Sequence, residues 1–144
     1  MTTMKKLAII AVLTLMCALT AGAEDNSEKT ALKVWAEKDN YQAYNLSAKP
    51  VIKQVDGKLV MNVNGKTFGT YDIYDGMKIT FTKEARLGDV NGDNDVTMAD
   101  ANGIVNTFLN GGARNINVTA ADYNADGSIT MADANAVVNE FLGQ

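Results

Sequence analysis

One twelve-residue stretch of this chain is written twice. Asp89-Val90-Asn91-Gly92-Asp93-Asn94-Asp95-Val96-Thr97-Met98-Ala99-Asp100 returns, from 89 to 122, as Asp122-Tyr123-Asn124-Ala125-Asp126-Gly127-Ser128-Ile129-Thr130-Met131-Ala132-Asp133, an offset of 33 residues. Oxygen-bearing side chains fall at positions 1, 3, 5, 9 and 12 of both copies. Acidic, Asn- and Gly-rich stretches are often only solvated turns. Two copies in register, each running into the same apolar pattern, argue against that reading.

The spacing is that of a twelve-residue calcium loop of the EF-hand type. Calcium is a hard cation that gathers six to eight oxygens in a flexible shell, and a tight loop that turns every second side chain inward can wrap it. In loop one, Asp89, Asn91 and Asp93 are the expected side-chain donors, with the carbonyl of Asp95 at position 7. Thr97 is expected to act through water and Asp100 to close the shell. In loop two the same places fall to Asp122, Asn124, Asp126, Ser128 (by its carbonyl), Thr130 and Asp133. The expectation is two ions. Position 6 requires a sharp turn with positive φ, which Gly127 meets and Asn94 tolerates. Position 12 is Asp in both loops, a shorter arm than the bidentate Glu of a calcium sensor. Val96 and Ile129, apolar at position 8, are expected to meet across the loops as a short strand contact.

After Asp100, apolar residues fall at Ala101, Ile104, Val105, Phe108 and Leu109; after Asp133 they fall at Ala134, Val137, Val138, Phe141 and Leu142. Both sets trace one stripe of an amphipathic helix. Thr97 and Thr130 stand three residues before Asp100 and Asp133, a capping-box spacing with Asp in place of Glu. Gly111-Gly112 and Gly143 are natural stops. The stretch Lys83 to Gly88 leaves no room for a helix before loop one, so the first unit is loop then helix.

Residues 87–142 resemble the dockerin family, whose members carry a duplicated calcium loop–helix segment with Asp at position 12. Leu87-Gly88-Asp89-Val90-Asn91-Gly92-Asp93 and Ala120-Ala121-Asp122-Tyr123-Asn124-Ala125-Asp126-Gly127 look like the openings of its two repeats. The resemblance implies docking of a cohesin-like protein domain, in assemblies that often break down plant polysaccharides. It also implies a recognition pair at loop positions 10 and 11, here Met98-Ala99 and Met131-Ala132. Val105-Asn106 and Val138-Asn139 follow along the helices.

At the other end, Lys5 and Lys6 precede an apolar run from Leu7 to Leu19, short for a membrane span, and Ala21-Gly22-Ala23 fits a cleavage site. Residues 1–23 thus read as a bacterial export signal, with translation starting at Met1 or Met4. Cys17 offers a lipoprotein alternative, which the bulky Met16 before it disfavours. Without residues 1–23 the chain has neither Cys nor His. Disulfides, Cys/His zinc sites and catalytic dyads built on those residues are then excluded, which leaves calcium as the available staple for an extracellular fold.

Residues 24–87 hold 10 Lys/Arg against 9 Asp/Glu, whereas residues 88–144 hold 1, Arg114, against 8. There is no basic patch for nucleic acid and no basic amphipathic helix for a membrane surface. Residues 24–30 read as a disordered leader. Between 31 and 82, short alternating runs are separated by Asp56-Gly57, Asn64-Gly65 and Asp75-Gly76, strong hairpin signals. A β meander of about five strands is expected there, with 83–87 as linker. Trp35, Tyr41, Tyr44, Tyr71 and Tyr74 either line a sugar-binding surface or fill a small core; the core is the simpler expectation.

The fold class expected is α+β: a small N-terminal antiparallel β meander, then an all-α calcium-binding module of two loop–helix, EF-hand-like repeats over 88–144. The function expected is a secreted, monomeric, non-enzymatic assembly module for a cohesin-like partner. Three alternatives stand beside it. They are a structural calcium-clamped terminus or accessory module without such a partner, a small enzyme carrying the segment as an address, and a calcium buffer.

Overall fold

The computed structural model describes residues 30–144; the readings of residues 1–23 and of most of 24–30 lie outside them. The first strand, β1 (Thr30–Glu37), pairs antiparallel with β2 (Asn40–Asn45) and with β6 (Ile79–Lys83). A 3-10 turn at Leu46–Ala48 and Pro50 then turn the chain into β3 (Val51–Val55), β4 (Lys58–Val63) and β5 (Lys66–Asp72), a separate antiparallel sheet. Its two hairpin turns, Asp56-Gly57 and Asn64-Gly65, each carry two consecutive positive φ angles (49° and 78°, 50° and 78°). That geometry matches the right-handed strand twist and suits Asx-Gly pairs.

The rest comprises helix α1 (Met98–Asn110), strand β7 (Ile116–Asn117), the short helix α2 (Val118–Ala121) and helix α3 (Met131–Phe141). Helices α1 and α3 pack on each other. Strand β7 joins the edge of the first sheet, parallel to β2, giving the order β6-β1-β2-β7.

Two expectations are corrected here. The N-terminal strands do not form one meander of about five: among the described residues there are six of them, in two sheets. The strand not foreseen, β2, reads Asn-Tyr-Gln-Ala-Tyr-Asn. It lacks the β-branched residues that mark strands, yet it sits in the middle of its sheet. Nor is the region after residue 88 an all-α module of two EF-hand-like repeats. It contributes β7 to the N-terminal sheet. Its two loops also have unequal lead-ins: a bare turn before Asp89, and four residues of helix before Asp122. A two-residue strand is too short to leave a periodic signal.

A single hydrophobic cluster runs through both halves. Leu32, Tyr44, Leu59, Met61 and Tyr71 belong to it from the sheets, and Val90, Ile104, Val118 and Val137 from the loops and helices. Fully burying one such aliphatic side chain contributes about 1.5–3 kcal/mol. Gln42 anchors a polar knot inside this core. The Tyr44 and Tyr71 hydroxyls stand 2.6 Å apart, Tyr44 donates to the Gln42 side-chain carbonyl at 3.0 Å, and Tyr71 donates to the same oxygen. Burial holds both phenols above the ordinary tyrosine range. Tyr44 and Tyr71 are therefore core residues. Trp35 and Tyr41 form a tilted pair at 5.2 Å, with the Lys33 ammonium 4.1 Å from the Tyr41 ring centre. Tyr74 donates to the Trp35 carbonyl at 3.0 Å.

Candidate metal centre

The two loops share most of their local hydrogen bonds. In loop one, Asp89 turns its carboxylate back onto the chain: Oδ1 accepts the amides of Gly92 at 2.8 Å and Asp93 at 3.1 Å, and Oδ2 that of Asn94 at 3.0 Å. The Asn91 side-chain Oδ1 accepts the Asp93 amide at 2.9 Å, and the Asp93 carboxylate accepts the Asp95 amide at 2.9 Å. This is the Asx habit of binding a backbone two residues on, used twice in succession. Loop two repeats it. Asp122 accepts the amides of Asp126 and Gly127 at 3.1 and 3.0 Å, Asn124 accepts that of Asp126 at 3.0 Å, and Asp126 that of Ser128 at 2.9 Å.

Asp100 and Asp133 close each loop onto its helix. Thr97 is the N-cap of α1 and Thr130 that of α3, and both make a complete capping box with the Asp three residues on. Asp100 Oδ2 accepts the Thr97 amide at 2.8 Å, while its Oδ1 reaches back to the amides of Val90 and Asn91 at 2.8 and 3.1 Å. Asp133 does the same with Thr130 at 2.8 Å and Asn124 at 3.2 Å. The shorter Asp arm thus welds the first residues of the loop to the first turn of the helix.

The turn at positions 4 and 6 is solved differently in the two copies. Loop one uses Gly92 (φ 77°) and Asn94 (φ 78°), and loop two Ala125 (φ 57°) and Gly127 (φ 86°). A Cβ on Gly127 would stand 3.0 Å from the Cβ of Lys66, so loop two rests on the β4–β5 hairpin. Val96 is buried and Ile129 packs against the core, but neither lies in a strand, so the expected strand contact between the loops is not formed.

Does a hard cation fit here? Among the described residues, no three His, Cys, Asp or Glu side chains form a group able to hold a metal by themselves. The donor sets read from the sequence mix carboxylate with amide, hydroxyl and backbone carbonyl oxygens. The electrostatics favour a cation. Asp89, Asp100, Asp122 and Asp133 are all buried, at 1%, 0%, 8% and 0% exposure, and among the described residues none has an ion pair with Lys or Arg. Burial raises the carboxyl pKa of Asp89 and of Asp122 above the ordinary value. A buried carboxylate without a counter-charge is costly, and a calcium ion would supply that charge. Asp93, exposed and bound by the Asp95 amide, is shifted down instead.

The candidate partner residues sit away from this polar interior. Met98 and Met131 are exposed at 46% and 41%, as are Ala99, Ala132, Asn106 and Asn139, while Val105 and Val138 are half-buried against the core. Sequence reasoning missed Asn45 and Asn117, two buried residues that tie the segment between the loops to β2. Asparagine in a polar connector carries no periodic signal that would reveal this.

Residues 87–142 match the family model of the dockerin type I domain. No curated protein matched the chain, and no solved structure did. Dockerin domains bind calcium, dock cohesin domains in cellulosome-like systems and are not themselves catalytic. They are typically extracellular. Among the described residues no helix is long and apolar enough to cross a membrane.

Proposed function

We propose that residues 87–142, a dockerin type I segment, make this protein an exported, non-enzymatic assembly module that binds two calcium ions and docks a cohesin-like domain. The observation that carries the reading is the paired loop. Each copy buries a position-1 and a position-12 aspartate without a cationic partner, at the lead-in of a capped helix. Asp89, Asn91, Asp93, the Asp95 carbonyl, Thr97 and Asp100 would hold one ion, and Asp122, Asn124, Asp126, the Ser128 carbonyl, Thr130 and Asp133 the other. The ions would neutralise the buried carboxylates and order the loops.

The contact surface proposed comprises Met98-Ala99 with Val105-Asn106, and its copy Met131-Ala132 with Val138-Asn139. Methionine adapts its shape to an apolar partner, and similar exposure of the two copies suits docking in either of two orientations. The rest of the reading is a monomer, exported by a signal over residues 1–23, with no nucleic-acid partner: residues 88–144 carry one basic residue.

The test is capture of a cohesin domain by the purified chain, with calcium and with chelator. Calcium-dependent capture that survives Met98→Asp or Met131→Asp alone, with about twofold loss, and fails in the double variant supports the proposal. Each change puts a charge into a desolvated contact. Loss of capture in one single variant that still binds calcium would show that one repeat alone makes the interface. Calcium binding with no capture by any cohesin would favour a calcium-clamped structural terminus.

A further inference from the structure

Asn117 touches three parts of the molecule at once. Its amide donates to the carbonyl of Val90, position 2 of loop one, at 2.8 Å. Its side-chain Oδ1 accepts the Ala120 amide at 3.0 Å and the Thr119 hydroxyl at 2.6 Å. It thereby caps α2, the turn of helix that delivers Asp122 into loop two. Its side-chain NH2 donates to Asn45 Oδ1 at 2.6 Å.

Asn45 ends β2, and both polar atoms of its side chain are bonded. Its NH2 donates to the Ala85 carbonyl at 2.7 Å, its Oδ1 accepts the Ala85 amide at 3.2 Å, and its own amide donates to the Thr119 hydroxyl at 2.9 Å. Both asparagines are buried, at 8% and 4% exposure. A buried network in which every member is satisfied fixes one arrangement, whereas loss of one member leaves others unpaired. Ala85 lies four residues before loop one, and the Gly88 amide donates to the Ala120 carbonyl at 3.0 Å. The network therefore holds the approaches to both loops against the first sheet.

We infer that Asn45 and Asn117 are positioning residues for both calcium loops, so that the N-terminal sheet sets the loops' affinity for the ion. The inference rests on the calcium reading above. Neither residue is a proposed ligand. They hold the backbone from which Asp89 and Asp122 project, and a backbone ordered in advance need not be ordered on binding. Partners of this outer kind commonly change metal affinity about 10–100-fold when removed.

The test is calorimetric titration of the full chain with calcium, beside amide hydrogen exchange of the calcium-free protein. Thr119→Val keeps the shape and removes the hydroxyl that links Asn45 to Asn117; Thr119→Ser keeps the hydroxyl. Thr119→Val should weaken calcium about tenfold or more at both loops and speed exchange of the Asn117 amide, and Thr119→Ser should restore both. Asn45→Ala should act like Thr119→Val, and where it fails to fold, the isosteric change carries the test. Ile52→Ala in the second sheet lowers stability elsewhere and should leave calcium affinity unchanged. Wild-type affinity at both loops in folded Thr119→Val would overturn the inference while leaving the calcium reading intact. Equal weakening by Ile52→Ala would reduce it to general stability. A wild-type chain that binds no calcium would overturn both.

Discussion

Ala125 is at odds with its backbone. Its φ of 57° is left-handed, a region that costs a side-chain-bearing residue roughly 1–2 kcal/mol and glycine little. Loop one has Gly92 at the same place, with nothing near the absent Cβ. Ala125→Gly should therefore raise the melting temperature of the calcium-free protein, and Gly92→Ala should lower it, each by the equivalent of about 1 kcal/mol. Thermal melts in chelator test both; a fall on Ala125→Gly would show that the loop gains nothing from relaxed φ. Gly69 is constrained by space instead. A Cβ there would stand 2.6 Å from the Tyr44 hydroxyl, inside the Gln42 knot. Gly69→Ala should cost about 1–3 kcal/mol by overpacking, measurable as a lower urea midpoint. The paired loops were legible at this scale because the same residue types recur at the same spacing in both copies. The Asn45–Asn117 pair was not, because a buried asparagine looks like any turn asparagine until its partners are known.

Among the elements, α1 and α3 owe their starts to Thr97 and Thr130 and their faces to the apolar stripe, and both signals were plain in the sequence. Loss of a cap side chain costs about 1 kcal/mol. Thr97→Ala and Thr130→Ala should thus shift the calcium-free urea midpoint downward by similar amounts, since the two capping boxes share one geometry. Unequal shifts would show that the lead-ins differ in how far they hold the caps. The hairpin turns at Asp56-Gly57 and Asn64-Gly65 were equally legible. The pairing of strands was not. Alternation says which residues face inward, not which strand is the neighbour. The 3-10 turn and Pro50 that divide the strands between two sheets look, in sequence, like any other punctuation. Strand β7 lies further from view, since two residues pair with β2 only because the connector is held there by Asn117 and by Asn115, whose amide donates to the Tyr41 carbonyl at 2.8 Å.

For the whole molecule, the shared core and the junction at β7 predict one cooperative unfolding unit over residues 30–144. The lone tryptophan, Trp35, lies in the first sheet, whereas the long helices lie in the loop half. Trp35 fluorescence and the helical circular dichroism signal should therefore melt together, and separate midpoints would mean two units. Alkali should act on the same unit. Burial raises the pKa of Tyr44 and Tyr71, so in the folded chain both stay protonated above about pH 10, where unfolded tyrosines ionise. The folded state then binds more protons than the unfolded one, and stability falls as pH rises past that value. Tyr71→Phe should flatten the fall, as pH-dependent urea titrations would show. Bound calcium would act in the opposite direction. An ion that binds only the folded chain at 100 times its dissociation constant adds ~2.7 kcal/mol per site, so two sites add about a third of a small domain's stability at the upper end of its range. Calorimetric titration of the chain with calcium, followed by melting of the same sample, tests this most directly. Two ions should bind, and both spectroscopic midpoints should rise together. An absence of binding heat with unmoved midpoints in excess calcium would contradict the calcium reading.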